Sequence, residues 1–162
     1  MYQIIVYLHV ASVFLFLMAH GVSAAVAFRM RSEQNVERVR GFLDLSTATY
    51  NVMYGSLGLL MLTGIIAGVM KEWWAQGWIW ASLIILIVIV VAMSVIGLRE
   101  YAPIRKAAGL PYFAAMKPQP PLPSESDAEI GARVAATRPW QSGAIGFVGL
   151  LLILWLMMFK PF

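Results

Sequence analysis

The sequence predicts an all-α fold: a four-transmembrane-helix bundle with both termini on the outer side and short cytoplasmic surface helices in loops one and three. Three observations carry this expectation. Of 162 residues, 60% are hydrophobic and only 12% charged, about half the roughly 25% of a soluble domain. Apolar runs at 4–28, 49–70, 77–98 and 141–159 each reach the roughly 18 residues needed to cross hydrocarbon. Ten of the twelve basic residues fall in two connecting segments, 29–48 and 99–140, leaving only Lys71 and Lys160 on the other side. Short loops rich in Lys and Arg stay in the cytoplasm, which sets the topology. The whole chain reads as one integral membrane domain in a lipid bilayer.

The first run, "YLHVASVFLFLMAHGVSAAVAF", ends in small residues as a secretory signal does. We read it instead as the first span. Met1 to Gln3 contain no Lys or Arg, and the apolar core is longer than a signal's 7 to 15 residues. Loop one holds "SEQNVERVRGFLDL", where Ser32 is placed to cap a short helix and Val36, Val39 and Leu43 share one face. The second span carries Gly64 and Gly68 as a GxxxG pair, matching Gly21 and Ala25 on the first span and Gly143, Gly146 and Gly149 on the fourth. Lipid gives apolar side chains no reason to associate, so small residues that admit close approach specify the packing.

The outer turn "KEWWAQGWIW" gathers Trp73, Trp74, Trp78 and Trp80 as interfacial anchors, with Tyr50, Tyr54, Tyr101 and Trp140 as their inner counterparts. The third span, "LIILIVIVVAM", lacks a polar stripe and should face lipid over much of its surface. Loop three opens with "REYAPIRKAAGLPYF" and passes through the stiff, extended "MKPQPPLP". It then offers Ser126 and Glu129 at capping-box spacing, with Pro139 closing any helix before the fourth span.

Composition also excludes classes of function. There is no Cys, which removes disulfides, thiolate metal sites, iron–sulfur clusters and thiol catalysis. All eight carboxylates lie in loops, whereas ion-coupled transport and proton relays keep one in the membrane. Phosphate-binding glycine loops and the metalloprotease HExxH are absent. The net charge of +4 is topogenic and attracts anionic lipid; it does not indicate nucleic acid.

What remains for chemistry is the first span's pair of histidines, His9 and His20, the only two in the chain. Eleven residues at about 100° each bring both rings to nearly the same side, about 16.5 Å apart along the axis. A ring in hydrocarbon must find a partner. Two readings stand side by side. Each imidazole hydrogen-bonds a neighbouring helix, or it ligates b-type haem or a transition metal through neutral nitrogen.

Counting about 1.5 Å per residue from each boundary puts His20 opposite residues near 54, 93 and 146, and His9 opposite residues near 65, 82 and 155. Asn51, Met53, Tyr54, Met93 and Ser94 are therefore candidates at the His20 level, and Thr63, Ser82, Trp155 and Met157 at the His9 level. A bis-histidine haem needs rings on two facing helices, and here both are on one. The haem readings are then His20 with Met93 or Met53, a five-coordinate haem, or a histidine from a second subunit. A copper reading uses His9 with Met1, Met70, Met157 and Met158 at the outer face.

The segments "YLHVASVFLFLMAHGVSAAVAFRMR", "YNVMYGSLGLLMLTGIIAG" and "WWAQGWIWASL" resemble an uncharacterised family of bacterial multi-pass membrane proteins, akin to CopD-like copper-resistance proteins and four-helix membrane haem proteins. The resemblance implies a four-helix bundle in the bacterial inner membrane and favours His9 and His20 as ligand positions. The chain departs from those relatives in having no histidine on its later spans. The functional expectations are haem b binding for electron transfer or redox sensing, a cofactor-free accessory subunit packed against other membrane subunits or a second copy of itself, and copper handling.

Overall fold

The structure, a computed structural model, describes residues 1–115 and 117–162; Met116, the first residue of the proline-rich stretch, lies outside them. The fold is helical: α1 (Tyr2–Met30), α2 (Val36–Ala48), α3 (Tyr50–Met70), a single 3-10 turn (Trp73–Ala75), α4 (Gly77–Ala107), α5 (Asp127–Ala135) and α6 (Pro139–Phe159). One small antiparallel hairpin, β1 (Tyr112–Ala114) with β2 (Lys117–Gln119), interrupts it between α4 and α5, with Phe113 opposite Pro118. Four of the helical units contain a stretch long and apolar enough to cross a membrane, carried by α1, α3, α4 and α6.

These four helices form two pairs, α1 with α3 and α4 with α6, and α1 touches α6 more lightly to join the pairs. Consecutive α3 and α4 meet mainly through the short turn between them. Glycines on α6 shape both of its contacts. A Cβ at Gly143 would touch the Phe28 ring at 3.4 Å, and one at Gly149 would collide with Ile89. The GxxxG pair on α3 acts differently from a helix-on-helix seam: Gly64 makes room for the His9 ring and Gly68 for Trp74 and Ile79. Gly21 faces open space, so its small-residue step packs nothing within the chain.

The densest packing is at the loop end of the bundle, outside the apolar spans. Met30, Val36, Val39, Leu43, Ile104, Ala107, Ile130 and Val134 form one buried cluster contributed by α1, α2, α4 and α5. Val36, Val39 and Leu43 are the three positions whose spacing predicts a face, and they are the buried ones on α2. The cap of α2 is Asn35, whose side chain accepts from the Arg38 N–H at 3.1 Å. Ser32 is three residues too early, and its hydroxyl donates to the Arg29 carbonyl instead, closing the end of α1.

Arg105 locks α2 to α4, donating to the Leu43 carbonyl at 3.0 Å and the Thr47 hydroxyl at 2.9 Å with Asp44 at 3.5 Å. Arg40 does the same toward loop three, donating to the Ala108 carbonyl and the Ser124 hydroxyl. The expected capping box is present at Ser126 and Glu129, and Pro139 is the first residue of α6 rather than the end of α5. At the opposite end the indoles pack on one another, and Trp78 is 1% exposed. Lys160 lies 4.1 Å from the Trp73 ring centroid, so this cluster ties α6 to the turn as well as marking an interface.

Two outcomes check this packing. Ile130→Ala should cost about 2–5 kcal/mol of stability and make loop three cleavable by trypsin in detergent, whereas Leu122→Ala at an exposed site should do neither. The Glu129 carboxyl is held below its ordinary range, first by the Ser126 hydroxyl and then by the Ser126 N–H. A lowered folded value means this support is complete above the ordinary carboxylate pKa, about 4.3, and is lost as pH falls through the folded one. Amide exchange in α5 should therefore accelerate below about pH 4 in the wild type and change less with pH in Ser126→Ala.

Candidate functional site

His9 and His20 are exposed alike on one side of α1 by helical periodicity, yet they meet different neighbours. The His9 Nδ1 lies 3.0 Å from the Leu60 carbonyl and 3.2 Å from the Thr63 hydroxyl, both on α3. A carbonyl only accepts, so Nδ1 carries the proton and Nε2 keeps the lone pair. The Thr63 hydroxyl is itself committed to the Leu59 carbonyl at 2.7 Å. Gly64 completes the socket, since a Cβ there would stand 3.2 Å from the ring's Cε1. His9 is thus an α1–α3 bridge, with no hydrogen bond to Nε2 among the described residues.

His20 turns the other way, toward the seam between the two helix pairs. Its Nε2 lies 3.5 Å from the position a Cβ on Gly146 would occupy, and the Met93 methyl comes within 3.9 Å of that same point. An imidazole nitrogen from α1 and the methyl end of a thioether side chain from α4 therefore meet over a glycine of α6. The Phe16 ring, one helical turn earlier, stacks on the imidazole with centroids 5.7 Å apart and planes 5° from parallel. Among the described residues no hydrogen bond reaches the His20 ring. Around it the other hydroxyls look elsewhere: Ser94 donates to the Val90 carbonyl, and Ser23 pairs with Thr49 at 2.8 Å.

The depth-matched candidates divide accordingly. Thr63 is opposite His9, and Met93 and Gly146 are opposite His20. Met53 is carried by α3, the helix that bonds His9. Met1 and Met158, named for copper, are 92% and 71% exposed. The sequence reading overlooked Phe16, although an aromatic four residues before a histidine on a helix is a recognisable stacking position, and it overlooked the Leu60 carbonyl, which no side-chain pattern reveals. Compared with family models, curated proteins and solved structures, the chain matches none.

The donor set limits what could be held. Among the described residues no group of three or more His, Asp or Glu side chains is placed to hold a bare ion. One imidazole and one thioether suit a centre that brings its own equatorial ligands, as haem does, or a soft ion of low coordination number.

Two substitutions separate the roles of the helices. His9→Phe removes an interhelical hydrogen bond, worth about 0.6–1.7 kcal/mol in a membrane, and should lower the thermal midpoint in detergent; Thr63→Val, which leaves the Leu60 carbonyl in place, should lower it less. Gly149→Val should destabilise the α4–α6 pair and lower the midpoint clearly, while Gly97→Val, facing open space, should leave it nearly unchanged.

Proposed function

We propose that this chain is an inner-membrane protein that binds b-type haem at the α1–α6 seam, with His20 and Met93 as the side chains that would hold it, for electron transfer or redox sensing. One observation carries the reading: an imidazole within an apolar span with no hydrogen-bond partner among the described residues, meeting the end of a methionine side chain over a glycine. Leaving a polar group unpaired in hydrocarbon costs several kcal/mol, and a ligand bond at Nε2 would remove much of that cost.

The location supports it as well. The seam joins the two helix pairs through the lighter α1–α6 contact. Phe16 stacks on the His20 ring and fixes its plane, and Gly146 leaves out a side chain where His20 and Met93 meet. When bound, haem supplies a one-electron couple. His9 serves on this reading to hold α1 against α3, so that His20 keeps its position at the seam.

A second reading has its own observation. Ile84, Val88 and Val91 on α4 are 59%, 59% and 56% exposed, a continuous apolar face available to lipid or to another membrane subunit. On that reading the chain is an accessory subunit and His20 finds its partner across the interface.

An optical spectrum of the detergent-purified protein expressed with a haem supply separates the two. Haem binding predicts a Soret band that sharpens with α and β bands on dithionite reduction. It is abolished in His20→Ala, altered in ligand-field character but retained in Met93→Ala, and kept in His9→Ala. A colourless wild-type protein of full thermal stability would overturn the haem reading and favour the accessory one.

A further inference from the structure

Where α4 leaves its apolar stretch, a groove of about 650 Å³ opens between its last turns, the hairpin, Glu125 just before α5 and Arg133 in the last turn of α5. Leu98, Ala102 and Lys106 stand at four-residue steps along its floor, Phe113 forms a wall, and Glu125 and Arg133 close the far side. Pro103 lies in the same floor and within the helix. Its ring removes the N–H that would bond the residue 99 carbonyl.

The charges at this groove do not cancel. Arg133 is committed to Glu125, donating to both carboxylate oxygens at 2.8 to 3.1 Å. Lys106 has no carboxylate partner among the described residues; its ammonium stands 6.0 Å from the Tyr112 ring centroid. Neighbouring Arg105 faces away, toward α2 and Asp44, and the Glu100 carboxylate accepts from the Arg138 N–H. One free cation therefore remains at the mouth of a groove whose floor is apolar.

That floor continues the outer surface of the span. Val91, Val95 and Leu98 recur on one stripe of α4 and are 56%, 46% and 39% exposed as the groove is approached. From Leu98 to Lys106 the axis advances about 12 Å, and a lysine stem lets its ammonium reach back toward the headgroup level. A ligand that fits both halves has a hydrocarbon chain for the stripe and an anionic phosphate for Lys106. A soluble anion would use only the second half, and a zwitterionic lipid would bring a cation to a site that already has one.

We propose that this groove is a binding site for one anionic phospholipid, its acyl chain along Val91, Val95 and Leu98 and its phosphate at Lys106. The site stands apart from the His20 seam and holds for either orientation of the chain in the membrane.

The test uses the full chain in nanodiscs of phosphatidylcholine doped with phosphatidylglycerol, followed by gentle delipidation and native mass spectrometry. Expected is one phosphatidylglycerol retained several-fold in preference to phosphatidylcholine. Lys106→Gln should reduce that retention at least threefold with the thermal midpoint unchanged, while Lys117→Gln, exposed and outside the groove, should retain it fully. Millimolar inorganic phosphate should not displace the lipid. Equal retention of both lipids, retention unaffected by Lys106→Gln, or full displacement by inorganic phosphate would each overturn the proposal.

Discussion

A polar side chain inside an apolar span has to be satisfied by something other than water, and this requirement organises the helices around α1. His9 meets it within the chain, through a carbonyl that α3 exposes one residue-turn below Thr63 and a glycine that leaves room for the ring. Among the described residues, His20 meets an aromatic face and apolar carbon and no hydrogen-bond partner. The asymmetry between two chemically identical residues is the most informative feature of the bundle. It comes from neighbours, because α1 runs between α3 and α6 and a helix crossing two partners at an angle presents the same face to different helices along its length.

The bundle is held in different ways at different depths. Within the apolar spans the helices touch through glycine gaps, and little burial is available to drive them together. At the loop end the chain builds a small water-soluble kind of core, with Met30, Ile104, Ile130 and Val134 almost wholly buried. Each such side chain contributes about 1.5–3 kcal/mol on burial. Arg105 and Arg40 fasten this cap through carbonyl acceptors rather than through ion pairs alone. A desolvated carbonyl that gains a charged donor is worth about 1.5–3 kcal/mol, more than an exposed salt bridge.

This division bears on function. Met93 and Arg105 belong to the same continuous helix, α4, so the seam at His20 and the cap under the bundle share one rigid element. The cap restrains the loop end of α1 and α4, and the indole cluster with Lys160 restrains the other end. Between them α1 meets α6 more lightly than it meets α3, and His20 lies at that lighter contact.

Much of this was legible in the residues alone. Four apolar runs of spanning length, the face of Val36, Val39 and Leu43, and the capping box at Ser126 follow from hydropathy, periodicity and side-chain chemistry, which are local properties. The pairing of depths was legible too: counting 1.5 Å per residue from the boundaries placed Thr63 opposite His9, and Met93 and position 146 opposite His20. Which of the depth-matched residues is a neighbour was not, because depth fixes height on a helix and leaves azimuth and crossing angle open. Met53 and Met93 were equal on that count, and it is the placement of α4 and α6 that brings Met93 to the same glycine as His20. The same holds for Trp78, an interfacial residue by composition that tertiary packing buries, and for the Leu60 carbonyl, a backbone group that every residue possesses and only a fold can aim.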